Sequence, residues 1–342
     1  MNPERCLCIE SFEVTHMKLR KILPGLFAAA GMVVLILDSR TALMGASEGV
    51  ALCLKTVIPS LFPFFILSGI LSGSLMGLEF PILRPIGRVL GMPNGSEMLL
   101  VSGFLGGYPV GAKAVRDAWA EGNMQKEDAE RLLSFCNNAG PAFLFGMTAS
   151  MFSSPGAAWA LWGIHIASAL AAGWLLRREP SGPARPAAEK DSSIPQAMTN
   201  ALKACAQVCG WVIAFRILCC FLDRWILWVL PAWAKTAVIG LLELANGCLS
   251  LGNVASEQVR FLLCSGMLSI GGFSILMQTM SVTRGLRLRC YIKGKLVQTL
   301  FSILLAMIYV KWLSPLWLLA CLLLILPKKM GFGGSIPREV AV

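Results

Sequence analysis

The sequence predicts an all-α polytopic membrane protein built from two pseudo-repeated halves, each carrying a re-entrant helical hairpin. Three observations predict it. The 342 residues are 56% hydrophobic and only 14% charged, against about 25% charged in soluble globular chains. The apolar residues fall into runs near the length a bilayer requires, about 20 residues per span, which gives about eight spans and re-entrant pieces. Several runs are broken by glycine, proline and polar residues, a pattern hydrocarbon tolerates only where the backbone is buried in protein or lines a cavity.

The net charge of +11 sits in short loops beside apolar runs. That is the positive-inside distribution of cytoplasmic loops, and it does not describe a nucleic-acid surface. Of the twelve cysteines, Cys53, Cys136, Cys205, Cys209, Cys219, Cys220, Cys248, Cys264 and Cys321 lie in apolar stretches, where a thiol packs as a small hydrophobe. Cys6 and Cys8 stand too close and too isolated for a metal site, and no disulfide framework is implied. His16 and His165, the two histidines, are too far apart in sequence to suggest a metal centre or a triad. No cofactor is expected.

Residues 1–20 read as a short cytoplasmic tail. The run 22–37, preceded by Lys18, Arg20 and Lys21, reads as a retained signal anchor; a cleaved signal peptide, with small residues near Ala42 and Ala46, is the alternative. The stretch 51–78 holds Lys55, Pro59 and Pro63 and reads as a helix that enters the bilayer, breaks and continues. Residues 81–93, with Arg84 and Arg88, read as an interfacial amphipathic piece. The segment 97–113 is too short to span and holds four glycines and a proline between Ser102 and Lys113, the look of a discontinuous helix or re-entrant hairpin. Residues 117–132 read as an exposed charged helix, 135–146 as a second apolar stretch with a polar break, and 157–176 as an ordinary span.

A linker at 177–196, starting at Arg177-Arg178, divides the chain. Beyond it come apolar runs at 197–222 and 237–251, then the glycine- and serine-broken run 261–282. A basic loop carries Arg284, Arg287, Arg289, Lys293 and Lys295, and apolar segments at 296–310 and 316–326 form a terminal hairpin ending at Lys328-Lys329. The organisation expected is therefore a tail and first span (1–50), a first half (51–176), a cytoplasmic linker (177–196), a second half (197–295) and a C-terminal hairpin and tail (296–342). Leu99-Leu-Val-Ser102-Gly103-Phe-Leu105 matches Leu262-Leu-Cys-Ser265-Gly266-Met-Leu268 without gaps, and a double glycine follows each. Two related halves with interrupted segments are a common transporter plan.

Gly106 to Gly111 has the glycine spacing of a phosphate loop, but Ala112 stands where the lysine belongs, which excludes an NTPase on this motif. Two readings fit Ser102, Gly103, Gly106, Gly107, Tyr108, Pro109, Gly111 and Lys113. One is a half-helix start whose free amides, with Lys113 and Arg116, attract an anionic or polar solute. The other is a glycine-rich packing face with snorkelling basic residues. Glu243, inside an apolar run, costs roughly 3 kcal/mol or more there and marks a substrate or proton site; the alternative is an interfacial acid paired with Arg216 or Lys203. Asp223 is the expected partner of Arg216. Asn137, Asn138, Ser265, Gly271, Gly272, Ser274 and Gln278 complete the candidate substrate-binding set; each polar one is alternatively an inter-helix hydrogen-bonding group.

Ser102-Gly103, Gly107-Tyr-Pro109-Val-Gly111-Ala-Lys113 and Phe135-Cys-Asn137-Asn138-Ala-Gly140-Pro141-Ala-Phe resemble the sporulation integral membrane protein YlbJ (SpoVV) family. Leu242-Glu243-Leu-Ala-Asn-Gly247 and Gly271-Gly272-Phe-Ser274-Ile-Leu-Met-Gln278 fit it less specifically, and the resemblance runs from about residue 50 to residue 300. It implies nucleoside-recognition Gate domains similar to those of concentrative nucleoside transporters, and a role in endospore formation. It further implies movement of dipicolinic acid, a small planar dianion, across the outer forespore membrane from the mother cell. The resemblance does not assign binding residues.

The function expected is a non-enzymatic transporter of a small organic anion, with 102–113 and 265–278 facing each other across the path. A non-transporting sporulation scaffold and a nucleoside-like solute transporter are the alternatives; an intramembrane enzyme lacks a nucleophile–base pair. Expected partners are the anionic solute, the bilayer, sporulation membrane proteins and a second copy of the chain, with no nucleic acid. Both termini are expected on the cytoplasmic side of the mother-cell membrane around the forespore. Cysteines at 185 and 290 should therefore react with impermeant thiol reagents from the cytoplasmic side alone, and labelling from the opposite side would reverse this orientation.

Overall fold

The computed structural model describes residues 22–75, 81–182 and 193–316, and every regular element among them is helical. The expected tail 1–20, residues 183–192 of the linker and the terminal segment beyond residue 316 lie outside the described residues. The first helices are α1 (Ile22–Leu37) and α2 (Ser39–Leu52), and Asp38 between them caps α2 by accepting from the Thr41 amide at 3.3 Å. A π-helical turn at Cys53–Val57 carries α2 directly into α3 (Ile58–Leu75). The expected break at Pro59 and Pro63 is therefore absent. The wider turn lies just ahead of the prolines, and the Ser60 hydroxyl donates to the carbonyls of Thr56 (2.7 Å) and Val57 (3.1 Å). The π turn adjusts the backbone just ahead of the prolines.

The next elements are short: α4 (Arg84–Val89), α5 (Met98–Leu105), α6 (Val110–Ala120), α7 (Lys126–Leu132) and α8 (Pro141–Thr148). Long helices follow at α9 (Pro155–Leu175) and α10 (Ile194–Trp225), then shorter ones at α11 (Ala232–Leu242) and α12 (Leu244–Ser250). The last are α13 (Glu257–Ile270), α14 (Gly272–Val282) and α15 (Arg289–Tyr309). Five stretches are long and apolar enough to cross a membrane: Ser39–Leu67, Pro155–Leu175, Ile194–Trp225, Glu257–Val282 and Arg289–Tyr309. Much of their outward surface is exposed leucine, isoleucine and tryptophan, as expected of surface that meets lipid.

The expected boundaries at 50/51 and 295/296 fall inside α2 and α15. The halves are not separate bodies: α10 lies along α2 and α3, while α9 packs on α13 and α15. One core cluster joins Val57, Leu144 and Leu161 to Val212, Leu244 and Leu268. Nor is 117–132 a wholly exposed helix. It divides between α6 and α7, and Arg131 is buried with its guanidinium donating to the carbonyls of Leu90 and Gly91.

Two interruptions break the helices at glycines in a similar way. α5 ends at Gly106, Gly107 takes a left-handed φ of +73°, and the 11-residue α6 follows. α13 ends at Gly271 (φ +77°), and the 11-residue α14 starts with Gly272 (φ +79°). Within the first interruption, glycines let three backbones touch: a methyl group at Gly111 would stand 2.1 Å from the Cys136 carbonyl oxygen and 2.8 Å from the Gly103 Cα. Gly103 meets the same carbonyl, so these two glycines are packing residues. The backbone contact leaves no flexible side chain to yield. Gly111→Ala should lower thermal stability in detergent by about 1–3 kcal/mol, the usual range for overpacking. Gly163→Ala, which meets nothing within 4 Å in α9, is the matched control and should not lower it.

Candidate functional site

The site is organised by one face of α15. Tyr291, Lys295, Gln298, Ser302 and Ala306 recur at helical spacing, and all are buried. Gly294 beside them packs directly on Ser134, which seats this face against the stretch leading to Asn137 and Asn138. α9 contributes His165 and α13 contributes Ser265, whose hydroxyl lies 2.6 Å from that of Ser302.

At the centre is Lys295, 2% exposed. Its Nζ donates to the Tyr108 hydroxyl (3.1 Å), Asn138 Oδ1 (3.1 Å) and Gln298 Oε1 (2.7 Å). The other bonds of these partners fix their direction. Tyr108 spends its proton on the Leu268 carbonyl (3.2 Å), Asn138 Nδ2 donates to the Phe135 carbonyl, and Gln298 Nε2 donates to Asn138 Oδ1 (3.1 Å) and the His165 carbonyl (3.4 Å). Each partner therefore presents a lone pair to Nζ. An ammonium has three protons to meet three acceptors, whereas a neutral amine has two and would face a lone pair with its own. Three acceptors at these distances match the protonated form of Lys295. The rings of Tyr108 and Tyr291 lie 5.1 and 5.9 Å from Nζ and add a weaker attraction. No carboxylate among the described residues pairs with it. Neutral acceptors satisfy the protons without cancelling the charge, and a buried unpaired charge costs several kcal/mol.

In front of this cluster lies a narrow cleft. Its walls are mostly apolar, from Val57, Leu61, Phe64 and Phe65 on one side to Val208, Val212 and Ile275 on the other. The polar groups on it are Glu243, Gln278 and Tyr108, with the backbone of Gly106, Gly107 and Gly140. An apolar cleft with a few placed polar groups is the usual form of a small-molecule site. Glu243 (2% exposed) caps α12, accepting at Oε2 from the Asn246 amide (2.7 Å) and Asn246 Nδ2 (2.9 Å). Gln278 Nε2 donates to Ser274 (3.1 Å), which leaves its Oε1 without a partner.

The structure brings together Gly106, Gly107, Tyr108, Asn138, Glu243, Gly271, Ser274 and Gln278 at or beside the cleft. Gly271 closes on Tyr108, where an added methyl would stand 3.4 Å from the tyrosine Cζ. Gly272 packs against the Gly240 carbonyl, and Ser265 serves the α13–α15 contact. Ser102 is buried in α5, and Pro109 is the residue before α6. The half-helix start of α6 is not open to a solute. Asn137 Oδ1 accepts from the Ala112 amide at 3.2 Å, and Asn137 Nδ2 donates to Thr279 at 3.0 Å. Lys113 lies away from the cleft on an exposed face, paired with Asp117 at 2.6 Å.

Both pairings offered for Glu243 are absent, and so is that of Arg216 with Asp223. Arg216 instead holds Glu48 at 2.6 Å, and Asp223 pairs with Lys235. The basic loop also ends earlier than expected. Lys295 lies inside α15, because that helix starts at Arg289. Lys295, Gln298, His165 and Ser302 are the residues that the motifs did not single out. The polar stripe 291, 295, 298, 302 is the signal that carries three of them once the helix is extended backwards.

No protein-family model matches the chain, and no solved structure matches. Over 112 residues the chain is 38% identical to the sporulation integral membrane protein YlbJ of Bacillus subtilis (strain 168). That alignment takes in 31% of this chain and 27% of the relative, so the chain spans about a quarter of that protein's length.

The burial contrast between the two lysines has a direct chemical readout. Acetylation of the folded protein in detergent should modify Lys113 and spare Lys295, with the same peptides both modified after denaturation. Equal modification of Lys295 in the folded protein would contradict its burial.

Proposed function

We propose that this chain is a membrane transporter of a small organic anion, and that the anion is dipicolinate moved during endospore formation. The observation that carries the reading is Lys295, a fully buried ammonium beside an apolar cleft with no carboxylate partner among the described residues. Such a charge is expensive to keep for stability alone, and intramembrane ions of this kind mark solute paths. An apolar cleft accommodates a planar ring, and a cation behind it supplies what a carboxylate lacks in hydrocarbon. A neutral nucleoside would gain nothing from that charge. The link to sporulation rests on the name of the partial relative and on the motifs that resemble its family.

On this reading the α5–α6 and α13–α14 interruptions are the re-entrant hairpins of two pseudo-repeated halves. They meet at Tyr108, whose hydroxyl donates to Leu268 of α13. Glu243 holds the start of α12 in place through the Asn246 amide and side chain. Coupling to an ion gradient is not required by any group in the cleft, and downhill flux is sufficient.

The test is uptake of pyridine-2,6-dicarboxylate into liposomes holding the purified protein. Wild type should exceed empty liposomes, and Lys295→Gln should fall by about tenfold or more, the equivalent of losing one hydrogen bond to a charged group. Lys113→Ala should keep the wild-type rate. Wild-type flux at the empty-liposome level would favour a scaffold and refute transport by this chain alone.

A further inference from the structure

Among the described residues, Tyr108 is the one that both lines the cleft and bonds Lys295, whose other two ligands, Asn138 and Gln298, do not line it. Its hydroxyl also donates to the Leu268 carbonyl. We propose that Lys295 is a concealed carboxylate-binding subsite, and that the Tyr108 hydroxyl is the stand-in ligand that a carboxylate solute displaces. This rests on the reading that the cleft takes an organic acid, and it names the group that receives the acid and the residue that guards it.

The chemistry favours exchange. The hydroxyl is a neutral acceptor and leaves the lysine charge uncancelled. A carboxylate oxygen in the same place accepts the same proton and brings the missing negative charge, and charge-assisted bonds are roughly twice as strong as neutral ones. The hydroxyl must also release the Leu268 carbonyl at 3.2 Å. That carbonyl belongs to the last turn of α13, just ahead of the Gly271 and Gly272 pair, so the displaced bond connects solute binding to the second interruption. The tyrosine is itself preceded by Gly107 and lies against Gly271, both with left-handed φ. Glycine accepts changes of φ in either direction more readily than other residues, so both neighbours can yield when the ring turns.

An empty site is thereby sealed. Without solute the ammonium keeps all three acceptors, and the tyrosine ring separates it from the cleft. With solute the carboxylate takes the third position, and neutral molecules of the same shape gain nothing by opening it. The site therefore selects for charge through the cost of moving Tyr108, as well as through attraction to Lys295.

The experiment is equilibrium binding to the full-length purified protein in detergent. The probes are pyridine-2,6-dicarboxylate and its uncharged diamide. Wild type should bind the dicarboxylate and not the diamide, and Lys295→Gln should lose binding. Tyr108→Phe keeps the ring and removes the competing hydroxyl, so it should bind the dicarboxylate about tenfold more tightly, the counterpart of one hydrogen bond to a charged group. The wild-type protein supplies a check that does not depend on that variant folding: a tyrosine ultraviolet difference signal on adding dicarboxylate, absent in Lys295→Gln. Binding by wild type that depends on Lys295, with Tyr108→Phe equal or weaker and no tyrosine signal, would overturn the displacement and leave the anion reading intact. No dicarboxylate binding by wild type or Tyr108→Phe would overturn both.

Discussion

Lys295 ties together four parts of the chain at one point. Its three acceptors come from the α5–α6 connection, from the stretch before α8 and from α15 itself, and α13 is reached through the Tyr108 hydroxyl. Each acceptor has its orientation fixed by a second bond. A buried ion held this way must have every proton satisfied, since each unmet bond in a low-dielectric interior is costly. The hydrogen bonds hold Lys295 in the fold, and no carboxylate among the described residues pairs with it. On the proposed reading, a solute carboxylate completes it.

Close backbone contacts make that cluster attainable. Gly103 and Gly111 press on the Cys136 carbonyl, Gly107 meets Gly140, and Gly294 lies on Ser134. Side chains at these points would hold α15 and the Asn137-Asn138 turn too far from α5 and α6 for Lys295 to reach Tyr108. The same glycines at Gly107 and Gly271 supply the left-handed conformations that end α5 and α13. Packing and interruption therefore come from the same residues. Asn137 completes the first interruption by taking the Ala112 amide, which ties the start of α6 to the protein and not to a solute.

Much of this was legible in the sequence, and the failures share a cause. Apolar runs and glycine pairs located the long helices and both interruptions, and the motifs around Tyr108, Glu243 and Gln278 do line the cleft. The prolines at 59 and 63 misled because a helix can absorb them where a π turn adjusts the backbone ahead of them. Lys113 and Lys295 exchanged their expected places for a similar reason. A lysine beside a glycine-rich break suggests a site, and a lysine among arginines suggests a loop. Yet composition near a residue does not say which way its helix turns. The stripe of Tyr291, Lys295, Gln298 and Ser302 does say so, and it is visible only when α15 is begun at Arg289. Pairings such as Arg216 with Glu48 join residues far apart in the chain, and no local pattern could give them.

The central claim is that a solute carboxylate completes the charge of Lys295. The most direct measurement is an experimental structure of the protein with pyridine-2,6-dicarboxylate bound. The account predicts a carboxylate oxygen within hydrogen-bond distance of Lys295 Nζ, the ring in the apolar cleft, and the Tyr108 hydroxyl withdrawn from both Nζ and the Leu268 carbonyl. A dicarboxylate seated elsewhere, with the Lys295–Tyr108 bond unbroken, would contradict it.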